Sequence, residues 1–439
     1  MFWKHTKKPS NKIYTADQKV KSQPLNSEQE TKPRKKLPVS FLKRLIPIGN
    51  LADTTLQELT ATVSHHQAGE IVFQQHKPAT SLPYLVKGQV FVEMNNGSGY
   101  EIDSDSLKAH YPLSCDSFYQ CTAIAKSKVS IIHFPLNTVQ KNNTESRNPL
   151  LNLEDIPEQL QNNSFLKRFL QHFKQGKLII PSLPDVSLKL RAAVQQEIGI
   201  QEAVKIINLD SIISSKIIQI VNSPLYRGVN PISTSLDAIS RLGLTTTRNL
   251  VTSISMQNIF SSPNKQLNNK MHLLWEKSIQ VSSISHTLAS ITKIVNPDEA
   301  LLAGLIHNIG SLPVIIFADS LSADDYTDKE LNQTVFALQG QLGNIILEKW
   351  KFPETLIRIP VHAENWFYTN DKELDLSDIV LLAKFHSYLG TPHMQNLPPI
   401  HTLPAFQKLG SNALTPDMSL QTLQDAKQQI SDAMSLFSS

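Results

Sequence analysis

The sequence predicts a multidomain chain of mixed α and β class, a small antiparallel β-roll of the jelly-roll kind followed by an all-α domain. Three observations carry that prediction. At 439 residues and 40% hydrophobic composition, the chain is long enough for two cores of ordinary domain size. Up to about residue 134, β-branched and aromatic residues come in short runs broken by Gly and Pro, the pattern of strands joined by turns. Beyond residue 165 the apolar positions recur at helical spacing almost without interruption. No repeat of 20 to 50 residues emerges, which excludes a solenoid.

Taken in order, residues 1–40 read as a disordered basic tail. The first 36 hold ten Lys or Arg against Asp17, Glu28 and Glu30, leaving 32 basic and 35 acidic residues elsewhere. Such a segment has too little apolar area to offset chain entropy. A solvated tail is the reading, with electrostatic contact to nucleic acid or an anionic surface as the alternative. The β-roll is assigned to 41–140. It opens with a helix over 41–66, Asp53 or Thr54 capping Leu56, Leu59 and Val63. Strands follow at Ile71–Phe73, Tyr84–Val86, Val90–Val92, 122–125 and 129–134, punctuated by Gly69, Pro78, Pro83 and Gly88.

Residues 141–175 read as a linker with one short helix, and 176–390 as the helical domain. Within it, 200–223 divides into two helices near Asp210–Ser211, and Ser235 caps a helix that Gly243 ends. Residues 296–310 carry every helix signal in the right order: Asn296 at the cap, Pro297 first, Asp298 and Glu299 at the positive dipole end, Gly310 beyond the last turn. Further helices are predicted at 331–350, 353–366 and 375–389. A helical extension occupies 391–439, its last helix starting at Thr415 and Pro416 with Leu423, Ala426, Ile430 and Ala433 on one stripe.

Several classes are excluded. No apolar run is read as reaching the roughly 18 residues that span a bilayer, and the start lacks the apolar core of a signal peptide, so a cytoplasmic location is expected. The two cysteines, Cys115 and Cys121, have no CxxC or zinc-ligand spacing. Two free thiols are expected, packed as small apolar groups, with redox sensing as the alternative.

Metal-dependent hydrolysis needs His and carboxylate ligands converging from several helices. By residue type the candidates are His286, His307 and His362, but His307 is followed by Asn308 and His362 by Ala363. An amide brings no charge to compensate an ion's lost hydration. These histidines read as packed core residues, and no metal or other cofactor is expected. The polar group Asn222, Ser223, Tyr226 and Arg227, in VNSPLYRG, is the candidate for contact with a ligand or protein partner. Capping and loop-backbone bonding is its other reading.

Seven segments in fixed order resemble the HDOD domain, a relative of the HD phosphohydrolases that largely lacks their catalysis: 178–190 (LIIPSLPDVSLKL), 206–228, 232–244, 273–289, 299–314 (EALLAGLIHNIGSLPV), 339–356 and 359–366. The resemblance implies degenerate metal positions: Lys277 where active enzymes carry His, His307 with Asn308 for the His-Asp pair, His362 with Ala363, and Lys384 for a late Asp. Ammonium groups there repel a cation.

Residues 45–92, with Gly69, Glu70, Ile71 and Gly88, resemble the cyclic-nucleotide-binding roll. That family's phosphate cradle needs Gly-Glu and then Arg, whereas 103–129 contains neither Arg nor Gly. Cyclic nucleotide binding in the usual mode is therefore not expected. Together the resemblances imply a non-catalytic bacterial signal-transduction protein, a pseudoenzyme acting through a protein partner, with a degenerate roll for docking or sensing; a homodimer is compatible with either module. The alternatives are a nucleotide or cyclic-dinucleotide phosphohydrolase using His307, His362 and Glu364, and a small-ligand sensor built on the roll.

Overall fold

The computed structural model describes residues 35–94, 97, 99–140, 156, 160–370, 373–409 and 420–437. Most of the predicted tail and linker, and the predicted cap at Thr415 and Pro416, lie outside them. The chain divides into two units, residues 1–136 and 137–439.

The first unit contains β1 (Lys35–Lys36), α1 (Val39–Leu42), α2 (Asp53–Glu58), β2 (Thr60–His66), β3 (Ile71–Phe73), β4 (Ser81–Lys87), β5 (Gln89–Glu93), β6 (Gly99–Asp103), β7 (Thr122–Ala125) and β8 (Val129–Pro135). They form two antiparallel four-stranded sheets, ordered β1-β2-β8-β4 and β3-β7-β5-β6. Alternation along β5 buries Val90 and Val92, and the same pattern in β8 buries Ile132 and Phe134 on the face that carries Tyr84. Gly88 turns β4 into β5 at φ +89°, where a Cβ would fall onto the Lys128 carbonyl.

The predicted helix over 41–66 is corrected here. Helix ends at Glu58, and Thr60–His66 is a strand paired with β8 in the register Val63 opposite Ile132. Leu56, Leu59 and Val63 fit a helical spacing, but the β-branched Thr60, Thr62 and Val63 fit a half-buried strand. Cross-strand bonds from His65 to Ser130 and from Ser64 to His133 secure it.

The second unit is helical: α3 (Asn137–Gln140), α4 (Ser164–Lys174), α5 (Asp185–Gln195), α6 (Ile200–Ile207), α7 (Ser211–Val221), α8 (Ser235–Leu242), α9 (Leu244–Met256), α10 (Lys265–Thr292), α11 (Pro297–Ile306), α12 (Ser311–Asp319), α13 (Asp328–Lys349), α14 (Glu354–Ile357), α15 (Ile359–His362), α16 (Leu376–Tyr388), α17 (Pro404–Lys408), α18 (Gln421–Asp425) and α19 (Lys427–Ser435). The 28-residue α10 is the axis on which α11, α16 and α19 pack. Asp210 caps α7 and Asn296 caps α11, each accepting two backbone N–H bonds. Thr234, one residue before Ser235, caps α8.

Gly310 does not stop α11 in a left-handed turn. Its φ is −68° and α12 begins at the next residue. The glycine is required for a different reason: a Cβ on Gly310 would fall onto the Gln339 carbonyl of α13, and one on Gly343 would meet the Pro360 ring of α15 at 2.5 Å. Pro297–Asp319 also overturns the reading that no run is long enough to span a bilayer. Among the described residues this stretch passes by length and composition, yet 94% of its apolar window is buried inside the fold, where it forms the core.

Candidate functional site

The degenerate metal positions meet where α10, the end of α11 and α16 converge. Lys277 comes from α10, His307 follows α11, and Lys384 lies on α16, each placed by a helix whose apolar face is anchored in the core. The Lys384 ammonium donates to the Ala363 carbonyl at 2.8 Å and to Glu364 Oε1 at 2.6 Å, with only 6% of its side chain exposed. Lys277 is half-buried; its Nζ donates to the Ser387 carbonyl at 2.7 Å and sits 3.9 Å from the centre of the Tyr388 ring. Ala363 caps α15 at its C-terminal end and Ser387 lies in the last turn of α16. Both ammonium groups therefore complement the electronegative ends of helices.

These two charges set the electrostatics around them. Burial, and then the charge of Lys384, pulls Lys277 down to about 8. His307, 2% exposed, is pushed down to about 3, first by burial and then by Lys384, with Lys277 adding to the effect. The imidazole is thus neutral, and because its Nδ1 lies 2.7 Å from the Gly304 carbonyl, Nδ1 carries the hydrogen. Asn308 Oδ1 accepts from Ser278 Oγ at 2.8 Å, and its Nδ2 donates to the Leu274 carbonyl at 3.3 Å.

His362 is turned to other partners. It bonds Ser377 Oγ at 2.8 Å, stacks on Tyr368 at 3.9 Å, and is held down to about 4, chiefly by burial. Among the described residues no three His, Cys, Asp or Glu side chains converge as a metal centre would require. The donors present do not fit a metal: two ammonium groups, an amide and a histidine already bonded to main chain offer a cation repulsion in place of ligands.

The other sequence candidates lie on the connection from α7 to α8. Asn222 bridges this loop, its Nδ2 donating to the carbonyls of Ile218 and Ile232 (2.9 and 2.7 Å) while its Oδ1 accepts from the Ile232 N–H at 2.8 Å. Ser223 Oγ is buried and has no hydrogen-bond partner among the described residues. Tyr226 donates its hydroxyl to Asp298, which also accepts from Thr246 Oγ1 at 2.7 Å and lies 3.9 Å from His286 Nε2. Burial, followed by the Asp298 charge, raises Tyr226 well above the ordinary phenol range. Arg227 and Val229 project into solvent. Sequence reasoning assigned Asp298 only to the helix dipole. The aromatic hydroxyl 72 positions earlier gives no local signal of their pairing.

In the roll, burial raises the Cys121 thiol to about 12, so it stays protonated and packs as an apolar group.

The family model of the HDOD domain matches residues 180–365. Residues 180–365 are an HDOD domain. A Shewanella amazonensis protein of known structure, described as a metal-dependent phosphohydrolase, is 27% identical; the match covers 62% of this chain and 99% of that one, with a TM-score of 0.55. An uncharacterised protein of Treponema pallidum is 23% identical over 194 residues, covering 40% of this chain and only 36% of that relative's length. A cyclic-nucleotide-binding protein of Geobacter metallireducens is similar over 24% of this chain and 82% of its own, at 15% identity and a TM-score of 0.21. That likeness is slight, and the description of the first unit rests on its two sheets. The HDOD segment spans α5 to α15 and so includes Lys277, His307 and Asn308, while Lys384 on α16 lies beyond it.

Proposed function

We propose that this is a non-catalytic, cytoplasmic bacterial signal-transduction protein whose HDOD domain works by protein–protein contact, with the roll as a degenerate docking or sensing module. The observation that carries the proposal is the occupation of the degenerate locus by Lys277 and Lys384, whose ammonium groups bond the carbonyls of Ser387 and Ala363. Water activation needs an ion to lower the pKa of the attacking water, and two cations at the ligand positions oppose its binding. The name of the Shewanella protein describes that protein; here the hydrolase reading would need His307, His362 and a carboxylate around one ion.

For the roll, the sequence 103–129, without Arg or Gly, favours docking over capture of a cyclic phosphate. The bacterial source, supported by the organisms of the relatives above, and the cytoplasmic location are part of the same proposal.

Elemental analysis of the purified full chain, with phosphodiesterase assays on generic and cyclic-dinucleotide substrates plus manganese or iron, tests it. The expected result is no stoichiometric metal and no turnover. Bound metal with turnover that His307→Ala abolishes would overturn the proposal.

A further inference from the structure

We propose that Arg191 and Arg248 form a binding site for a small anion carrying a phosphate group, separate from the lysine-filled locus. Helices α5 and α9 pack so that Ser187 Oγ donates to Thr252 Oγ1 at 3.3 Å, and one turn along each helix Arg191 and Arg248 stand on the same interface. Arg191 is 5% exposed, its guanidinium 3.6 Å from the centre of the Phe352 ring. Its Nη2 donates to the Lys351 carbonyl at 3.2 Å, while its Nε is buried with no hydrogen-bond partner among the described residues. Arg248 is half-buried and donates Nε and Nη2 to Asn249 Oδ1, its neighbour in the chain, at 3.3 and 3.2 Å.

Two like charges on one partly buried interface are unfavourable without a counter-ion. Burial, and then the charge of Arg248, pulls Arg191 down to about 10, so both groups stay protonated at neutral pH. Glu299 acts on Arg248 from a distance, its Oε1 accepting from Thr355 Oγ1 at 3.3 Å, and among the described residues neither guanidinium forms an ion pair with a carboxylate. A guanidinium is a planar fork of donors matched to phosphate and carboxylate oxygens. Two forks on facing helices call for oxygens in more than one plane, which a tetrahedral phosphate has and a planar carboxylate lacks. Arg248 is partly exposed and Lys351 exposed, so an anion can reach the pair from solvent.

Equilibrium dialysis and thermal unfolding of the full chain test the site, with inorganic phosphate or glycerol phosphate compared against sodium chloride at matched ionic strength. Phosphate is expected to bind and to raise Tm where chloride does not. Arg248→Gln should weaken that binding at least about tenfold, the factor for one lost charge-assisted hydrogen bond. Arg191→Lys keeps the charge but loses the fork and should weaken it comparably; Arg248, the partly exposed member, carries the test if the buried variant does not fold. Tighter binding of glycerol phosphate than of phosphate assigns the site to a phosphate ester, and the reverse assigns it to the free ion. Failure of the unaltered protein to bind either probe, or equal binding by Arg248→Gln, would overturn the proposal. Neither readout involves turnover, metal or a protein partner, so the result stands apart from that of the function proposed above.

Discussion

Replacing Lys384 by Met is the sharpest probe of the lysine-filled locus. Met keeps the aliphatic stem and opens little cavity, so the change removes chiefly the charge. Glu364 loses a partner at 2.6 Å and the Ala363 carbonyl loses a donor at 2.8 Å. Breaking a buried ion pair on one side costs about 3–5 kcal/mol. Glu364, however, keeps 20% of its side chain in solvent, which pulls the cost to the low end of that range. Relief of the repulsion that Lys384 exerts on Lys277 returns part of it.

A net loss of about 2–3 kcal/mol follows, or a fall in Tm of roughly 4–10 °C for a unit of this size. Urea and thermal unfolding of K384M, E364Q and the double variant give the assay. The double variant should be more stable than K384M alone, since no carboxylate is then left without its cation. Wild-type stability in K384M would refute the reasoning, as would simple additivity in the cycle.

Two further outcomes are expected. Gly310→Ala should destabilise by roughly 3 kcal/mol or more, because the new Cβ falls onto the Gln339 carbonyl of α13; a stability within 1 kcal/mol of wild type in denaturant melts would contradict the contact. Acid should weaken the fold through His307: with a folded value of about 3 against roughly 6.5 unfolded, the unfolded chain takes up a proton that the native one refuses. This contribution is complete above pH 6.5 and declines by up to about 1.4 kcal/mol per pH unit below it. Melts at pH 7.5 and 5.0 should show a smaller drop for His307→Gln than for wild type, and an equal drop would be inconsistent with a neutral buried imidazole.

Where local chemistry and tertiary contacts agree, the sequence is legible. The Asn296-Pro297 start of α11 and the break near Asp210–Ser211 ahead of α7 carry their signals within four residues, and both helices start where the residues predict. Strand β2 was obscured because Leu56, Leu59 and Val63 satisfy a helical period across a boundary; pairing with β8, some 70 residues away, decides the matter. Lys277 and Lys384 could be recognised as departures by comparison with a family pattern. Their carbonyl partners could not, because Ser387 lies 110 positions from Lys277 and Ala363 is 21 from Lys384. The spacing of the Gly310 and Gly343 segments gave the order of the helices but not the reason for the glycines, which is contact between backbones.

The Asn222 brace has an evolutionary consequence. One amide side chain fixes both ends of the α7–α8 loop from below, through three bonds to main-chain atoms of Ile218 and Ile232. Main-chain partners persist whatever side chains those positions carry. The upper side, with Pro224, Arg227, Val229 and Asn230 in solvent, contributes nothing to that brace. Paralogues could therefore exchange these four residues and acquire different binding preferences while inheriting the same loop shape, with Asn222 the position least free to drift.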